Sequence, residues 1–111
     1  MVKCSVLDDR LHAIADPTRR EILERLSAGP ASVSELAAPL EMSMPGVLKH
    51  VRILEDAELV RTEKRGRTRE CRLGEASLDD VARWVDGQRV RWESRLDRLE
   101  TYLAEKEEGR P

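Results

Sequence analysis

Helix start and stop signals recur at short intervals through the first half of this chain. Asp16 is followed by Pro17, an N-cap and a first-turn proline that together end one helix and begin the next. A glycine-proline pair at residues 29–30 ends that second helix, and Ser32 with Glu35 forms a capping box for a third. These signals favour several short helices over a sheet or one long helix.

Apolar residues at helical spacing give each of these segments one buried face. The second helix is predicted over about residues 17–28, and Ser43 can cap a fourth helix that has Pro45 in its first turn. The residues predicted to face the core are Leu7, Leu11 and Ile14 in the first helix, Ile22, Leu23 and Leu26 in the second, Leu36, Ala37 and Leu40 in the third, and Val47, Val51 and Leu54 in the fourth.

The sequence period changes after the fourth helix. Residues 59–64 and 69–73 are partly alternating and rich in Val, Thr and Arg, which predicts two short strands. The residues between them, 65–68, contain a glycine and predict a hairpin loop. Alternation places Cys71 and Leu73 on one side of the second strand, so we expect the Cys71 thiol to pack beside Leu73 under the hairpin.

The last predicted helix, about residues 77–104, is the longest, and Ser77 with Asp80 three residues on marks its start. At about 1.5 Å per residue it extends roughly 40 Å, farther than the rest of a small domain can cover. Its apolar stripe needs a partner, and a second copy of the chain is the simplest one. We expect residues 105–111 to form a frayed, charged tail. The stripe comprises Leu78, Val85, Trp92 and Leu99 at seven-residue spacing, with Val81, Leu96 and Leu103 on adjoining positions.

The order helix, helix, helix-turn-helix, two-stranded hairpin, long helix is that of a winged helix-turn-helix, a mainly α fold with a small β-hairpin. One domain is expected over residues 1–104. No apolar run approaches the roughly 20 residues of a membrane span, and no export signal is recognisable, so a cytoplasmic protein is expected. No catalytic motif indicates an enzyme, and neither a metal site nor a cofactor is expected.

The formal net charge of −2 hides an uneven distribution. Residues 61–72 carry six basic and two acidic side chains, a balance of +4. Residues 1–60 and 73–111 each carry seven basic and ten acidic side chains, a balance of −3. A polyanion responds to the local potential more than to the net charge. The predicted hairpin is therefore a candidate DNA-binding element.

The first turns of the fourth helix are the second candidate, because in a helix-turn-helix they enter the major groove. Lys49 can reach a phosphate or a guanine and Arg52 a phosphate, or both can be solvated. His50 can contact DNA or satisfy a hydrogen bond within the protein. Met44 and Leu48 can touch only thymine methyls, or else pack against neighbouring helices. The residues of this segment predicted to bind DNA are Ser43, Met44, Gly46, Val47, Leu48, Lys49, His50 and Arg52.

The hairpin tip completes the predicted DNA-binding surface. A glycine there permits a positive φ, and arginines at such a tip can follow the phosphate backbone or enter a narrow minor groove. Because each neutralised phosphate releases counterions, the affinity should depend strongly on salt. The residues concerned are Lys64, Arg65, Gly66, Arg67 and Arg69.

Several stretches of the sequence, taken together, resemble the ArsR-type bacterial repressors. The resemblance covers about residues 7–103, and the order and spacing of its motifs make it specific. The stretches are ADPTRREIL (15–23), SVSELA (32–37), MSMPGVLKHV (42–51), LEDAELV (54–60), the hairpin 61–73 and WESRLDRL (92–99).

The resemblance implies a homodimeric winged helix that binds operator DNA and usually represses transcription. It also implies that the first and last helices form the dimer interface. A dimer of this kind places two recognition helices about 34 Å apart, which predicts an inverted-repeat site. The interface residues that follow are Leu7, Leu11, Leu78, Val85, Trp92, Leu96, Leu99 and Leu103.

The chain departs from the family pattern at several positions. Ala37 and Pro39 stand where family metal sensors often carry two cysteines, and residues 73–111 contain no His for the other common metal site. The resemblance is thus to the branch without metal ligands. Met44 and Leu48 stand where many members have polar residues, Gly46 where Ala is common, and Glu58 where Gly is usual.

Two alternatives to a DNA-binding repressor follow from the residues. A winged helix can serve as a protein-interaction module, which the apolar pair Met44 and Leu48 would suit, although protein docking does not require a basic hairpin. A thiol switch between Cys4 and Cys71 is the other.

Overall fold

The computed structural model describes residues 5–75 and 78–109, and the chain forms two compact units that meet in sequence at Leu78 and Asp79. The described residues confirm the predicted mainly α, winged helix-turn-helix order. None of their helices has the length and apolarity needed to cross a membrane. The elements are α1 (Val6–Ile14), α2 (Pro17–Ser27), β1 (Ala31–Ser32), α3 (Val33–Ala37), a 3₁₀ helix (Ala38–Leu40), α4 (Met44–Asp56), β2 (Val60–Arg65), β3 (Thr68–Leu73) and α5 (Asp79–Glu108).

Side-chain caps begin the helices of the first unit where the sequence predicts them. The Asp16 carboxylate accepts the Arg19 backbone N–H at 3.1 Å. That hydrogen bond holds the pKa of Asp16 below its ordinary value; partial burial opposes it, and the charges of His50 and Arg19 add to it. Ser32 and Glu35 form both hydrogen bonds of the predicted capping box, at 3.1 and 3.2 Å. The short-helix pattern therefore follows from these capping residues.

The second unit is the helix α5. It ends at Glu108, four residues beyond the predicted end, so most of the segment predicted to be frayed is helical. The predicted cap Ser77 lies outside the described residues.

The core of the first unit consists of the predicted faces of α2, α3 and α4, closed by the sheet. In α1 the fully buried residue is Ala13, whereas the predicted Leu7 and Leu11 are half-buried. A small side chain at position 13 allows α1 to approach its neighbours closely. The other residues buried at 5% exposure or less include Ile22, Leu26, Leu36, Val47, Val51, Leu54, Leu59, Val60 and Cys71.

The sheet has three antiparallel strands in the order β1, β3, β2, one more than predicted. Ala31 pairs with Cys71 and Ser32 with Glu70, so β1 extends the hairpin by two residues. A strand this short has no alternating pattern by which to recognise it. Because Arg65 pairs with Thr68, the turn is also shorter than the predicted loop.

Cys71 is fully buried in the sheet, as predicted, but Leu73 is 43% exposed. Leu73, the last residue of β3, is thus only partly covered, and its packing beside Cys71 stays a prediction.

Glu58, between α4 and β2, has a φ of 63°, in the left-handed region. A non-glycine residue pays roughly 1 kcal/mol there, and Glu58→Gly removes that cost. The same change removes an exposed ion pair of 3.4 Å with Arg10, which contributes about 1 kcal/mol at most. We expect Glu58→Gly to raise the free energy of unfolding slightly in a urea titration. Glu58→Ala, which loses the pair and keeps the strain, should lower it; equal losses in both variants would contradict the account.

Candidate nucleic-acid interface

The helix α4 has one buried and one exposed face. The Ser43 Oγ accepts the backbone N–H of Gly46 at 3.3 Å and caps the helix as predicted. Val47 is fully buried with the rest of the apolar stripe. The prediction that Val47 contacts DNA is therefore wrong, because its side chain is inaccessible.

His50 lies on the side of α4 that faces α2. Its Nδ1 accepts a hydrogen bond from Nη1 of Arg19 at 3.2 Å, since a guanidinium can only donate. Arg19 is buried and also donates to the carbonyl oxygens of Ala13 at 2.7 Å and His12 at 3.0 Å. Arg19 thus joins α1, α2 and α4, and His50 satisfies a hydrogen bond within the protein rather than facing solvent alone.

The exposed face of α4 combines apolar and basic side chains. Met44 and Leu48 are 41% and 36% exposed, one helical turn apart. Lys49 and Arg52 are exposed next to them. At Gly46 an added Cβ would lie 3.2 Å from the Ser43 Oγ, so the cap leaves little room for a side chain there. The exposed surface of the first two turns is therefore formed by Met44, Pro45, Leu48 and Lys49.

We call the hairpin of β2 and β3, residues 60–73, the wing. Because opposite residues of an antiparallel pair share a face, its outer face carries the pairs Arg61 with Arg72 and Glu63 with Glu70, and Arg65 continues this face toward the tip. Its inner face carries the buried Val60 and Cys71, the half-buried Thr62, and the pair Lys64 with Arg69. The basic residues of the wing thus divide between two surfaces.

The outer face neutralises its own charge. The guanidinium of Arg72 lies 3.3 Å from the Glu63 carboxylate and 3.1 Å from that of Glu70. Arg65 lies 3.5 and 4.0 Å from the same two carboxylates, and Arg61 lies 2.9 Å from Glu75. Arg65, predicted as a DNA contact, is therefore already paired with acids.

The inner face keeps its positive charge. Within the described residues no carboxylate lies within 4.0 Å of Lys64 or Arg67. Arg69 donates from Nη1 to the Thr62 hydroxyl at 2.8 Å, and that hydroxyl donates to Glu55 at 2.6 Å. The hydrogen bond between Thr62 and Glu55 joins the wing to the end of α4, and the hydrogen bond between Arg69 and Thr62 orients the Arg69 side chain.

A cleft of about 400 Å³ separates the inner face of the wing from α4 and the start of α3, and we call it the wing cleft. Three of its lining residues are basic and, within the described part of the chain, none is acidic. The two elements predicted to bind DNA thus border one positively charged surface. The lining residues are Ser32, Val33, Ser34, Met44, Leu48, Lys64, Arg67, Thr68 and Arg69.

Sequence reasoning missed the hydroxyl side of the wing cleft. Ser32, Ser34 and Thr68 line it, and hydroxyls can donate to phosphate oxygens. The capping box located Ser32 at a helix start, but only the pairing of β1 with β3 brings that helix start to the wing.

The thiol of Cys71 is inaccessible in this structure. Burial raises its pKa above the ordinary value, the charges of Glu55 and Glu70 add to the rise, and Arg69 opposes it. Both properties disfavour the reactive thiolate. Cys4, the other member of the suggested thiol switch, lies outside the described residues. In residues 5–75 and 78–109 no three His, Cys, Asp or Glu side chains are grouped to hold a metal ion.

Comparison with known proteins gives consistent matches. A family model described as a helix-turn-helix domain matches residues 14–63. Over 71 residues the chain is 42% identical to HTH-type transcriptional regulator Rv2034 of Mycobacterium tuberculosis, covering 64% of this chain and 66% of that protein. Over 73 residues it is 33% identical to the transcriptional repressor SdpR of Bacillus subtilis, covering 66% of this chain and 81% of that protein.

The fold has a close counterpart among solved structures. The crystal structure of an ArsR family transcriptional regulator superimposes with a TM-score of 0.74 at 45% sequence identity. The match covers 80% of this chain and 98% of that one.

Proposed function

We propose that this chain, which belongs to the ArsR family of winged helix-turn-helix transcriptional regulators, is a homodimeric repressor of an inverted-repeat DNA operator. Its relatives are named as transcriptional regulators and, in one case, as a repressor. A regulator is not an enzyme, and the expected partners are double-stranded DNA and a second copy of the chain. Binding to operator DNA would place the protein in the cytoplasm.

The observation that carries the proposal is the charge of the wing cleft. Lys64, Arg67 and Arg69 face α4 with no acidic residue among the described residues that line the cleft, whereas the outer face pairs its arginines with glutamates. Solubility alone does not require that the cations on one face of the hairpin lack acidic partners while the arginines on the other face have them. Cations that have no neighbouring acid and lie beside an exposed helix can contact the phosphates of DNA whose groove the helix enters.

In this proposal α4 enters the major groove. Lys49 and Arg52 are exposed on it, and the N-terminal backbone N–H groups of α4, like its exposed Ser43 hydroxyl, can approach a phosphate. The wing then contacts the neighbouring backbone with Lys64 and Arg67. Arg65 and His50 already have partners in the protein, so they contribute less to DNA binding than the sequence alone predicts.

The helix α5 supports the dimer. Its stripe at seven-residue spacing is exposed along its whole length, with Trp92 at 64% and Leu99 at 52%. Exposed apolar side chains in such a row form a patch that soluble monomers rarely display. A charge in the middle of the row, as in Trp92→Glu, should turn the dimer into a monomer in sedimentation analysis.

The experiment is a fluorescence-anisotropy titration of nucleic-acid-free protein with duplexes selected from a random pool, over about 50 to 200 mM salt. We expect a single preferred inverted repeat, a steep loss of affinity with salt, and a large loss of affinity in Trp92→Glu. Absence of duplex binding at the lowest salt would contradict the proposal and favour the alternative protein-interaction module. A preferred site without inverted symmetry would contradict the dimeric operator.

A further inference from the structure

The wing cleft contains an apolar strip beside its cations. Met44 and Leu48 are exposed neighbours on α4, and they line the cleft together with the three cations of the wing. They point away from the buried stripe of the helix, so packing in the core does not account for them. In the first two turns of a helix that enters a DNA groove, exposed apolar side chains need an apolar group of the DNA as their contact.

The polar side chains that could read bases in this part of α4 already have other roles. The Ser43 oxygen caps the helix, and His50 is hydrogen-bonded to Arg19. Val47 is buried and Gly46 has no side chain. Lys49 is left as the hydrogen-bonding side chain of the first two turns, and the rest of the surface is apolar: Met44, Leu48 and Pro45.

We propose that Met44 and Leu48 recognise the C5-methyl groups of thymines in the major groove; this rests on the proposed function. Thymine is the standard base that presents a methyl group there. Facing an apolar side chain, the cytosine amino group or a purine acceptor would lose hydrogen bonds to water without replacement, which disfavours those bases. Specificity then comes from the contact with the thymine methyl group and from the exclusion of bases that present a polar group at that position.

The same chemistry extends to modified DNA. A 5-methylcytosine carries its methyl group at the position of the thymine methyl. The strip should therefore accept 5-methylcytosine better than cytosine where it prefers thymine, which makes the binding of this protein sensitive to cytosine methylation within its site.

The test uses the full chain and the duplex that it selects from a random pool. Each thymine of the selected site is replaced singly by deoxyuridine, which removes the methyl and keeps every hydrogen-bonding group. Because a buried methyl contributes about 0.8 kcal/mol, we expect roughly fourfold weaker binding at one or two positions of each half-site. Replacing the same thymine–adenine pair by 5-methylcytosine–guanine should weaken binding less than replacing it by cytosine–guanine.

Variants assign the effect to the two side chains. Leu48→Ala and Met44→Ala should each bind thymine and deoxyuridine duplexes equally at the position that the removed side chain contacts, and the double alanine variant should do so at every position. Leu48→Met, which keeps the apolar contact, should still discriminate. Both side chains lie outside the core and are partly exposed, so the alanine variants should stay folded, which a melting curve of each variant checks. An unchanged salt dependence in all variants would show that the phosphate contacts are intact.

Three results would overturn the inference. Wild-type affinity that is indifferent to deoxyuridine at every position would contradict methyl recognition and leave the proposed function standing. Discrimination that persists in the Met44→Ala, Leu48→Ala double variant would assign the discrimination to DNA shape and overturn the inference. Failure of the protein to bind any duplex would remove the proposed function together with the inference.

Discussion

The Lys64→Ala, Arg67→Ala double variant should bind its duplex roughly 10- to 100-fold more weakly at 0.1 M salt than the parent does. Each lost phosphate contact lowers the slope of log affinity against log salt by about 0.9, so the slope should fall by about 2 for each protomer. The reason is that these two cations face the wing cleft, and no carboxylate of the described residues lies within 4.0 Å of either. Anisotropy titrations over a salt series measure both quantities.

The matched control removes the same charge from the other face of the same hairpin. In Arg65→Ala, Arg72→Ala the two guanidinium groups that pair with Glu63 and Glu70 are lost. The net charge changes equally, but no phosphate contact is removed, so affinity should change little and the salt slope should stay the same. Equal losses in the two double variants would show that the wing acts only through its total charge.

Gly74→Ala should clearly lower the stability of the first unit. An added Cβ would collide with the carbonyl oxygen of Glu58 and lie 3.2 Å from the carbonyl carbon of Leu59. Both neighbours are backbone atoms, and the Gly74 N–H is fixed by a 2.9 Å hydrogen bond to the Leu59 carbonyl. Overpacking of this kind costs about 1–3 kcal/mol, and the rigid backbone on both sides places this case at the upper end.

Urea titrations at fixed protein concentration should therefore give a clearly lower midpoint for Gly74→Ala. Gly87→Ala is the matched control, because nothing lies within 4 Å of a Cβ there and alanine favours a helix by about 1 kcal/mol over glycine. That variant should be at least as stable as the parent. A Gly74→Ala protein with parental stability would mean that the end of β3 can move away from Glu58.

The helices of the first unit could be predicted because their signals are local. Ser32, Glu35 and Ser43 act within one turn, and each forms the hydrogen bond that its position in the sequence predicts. The buried stripe of α4 follows from helical spacing for the same reason. Local chemistry therefore determines where these helices begin and which face they bury.

Features that depend on distant residues could not be predicted in this way. The strand β1 exists because Ala31 and Ser32 meet β3, and two residues carry no pattern of their own. Arg19 joins three helices through partners in α1 and α4, a role that no spacing in the sequence indicates.

The candidate site shows the same division. The distribution of charge along the chain indicates the basic segment, but only the folded hairpin separates Arg65, paired with acids, from Lys64 and Arg67, which have no carboxylate within 4.0 Å among the described residues. Val47 shows the converse: membership of the recognition helix predicts a DNA contact, and burial excludes it.

The most direct test of the account is site-specific photocrosslinking to the selected duplex. A benzoylphenylalanine is introduced either at Leu48, which lines the wing cleft, or at Glu63, on the outer face of the wing. We predict crosslinks to bases of the site from position 48, abolished by competing unlabelled duplex, and far weaker crosslinks from position 63. Strong crosslinks from position 63 and none from position 48 would show that DNA does not occupy the wing cleft and would contradict the account.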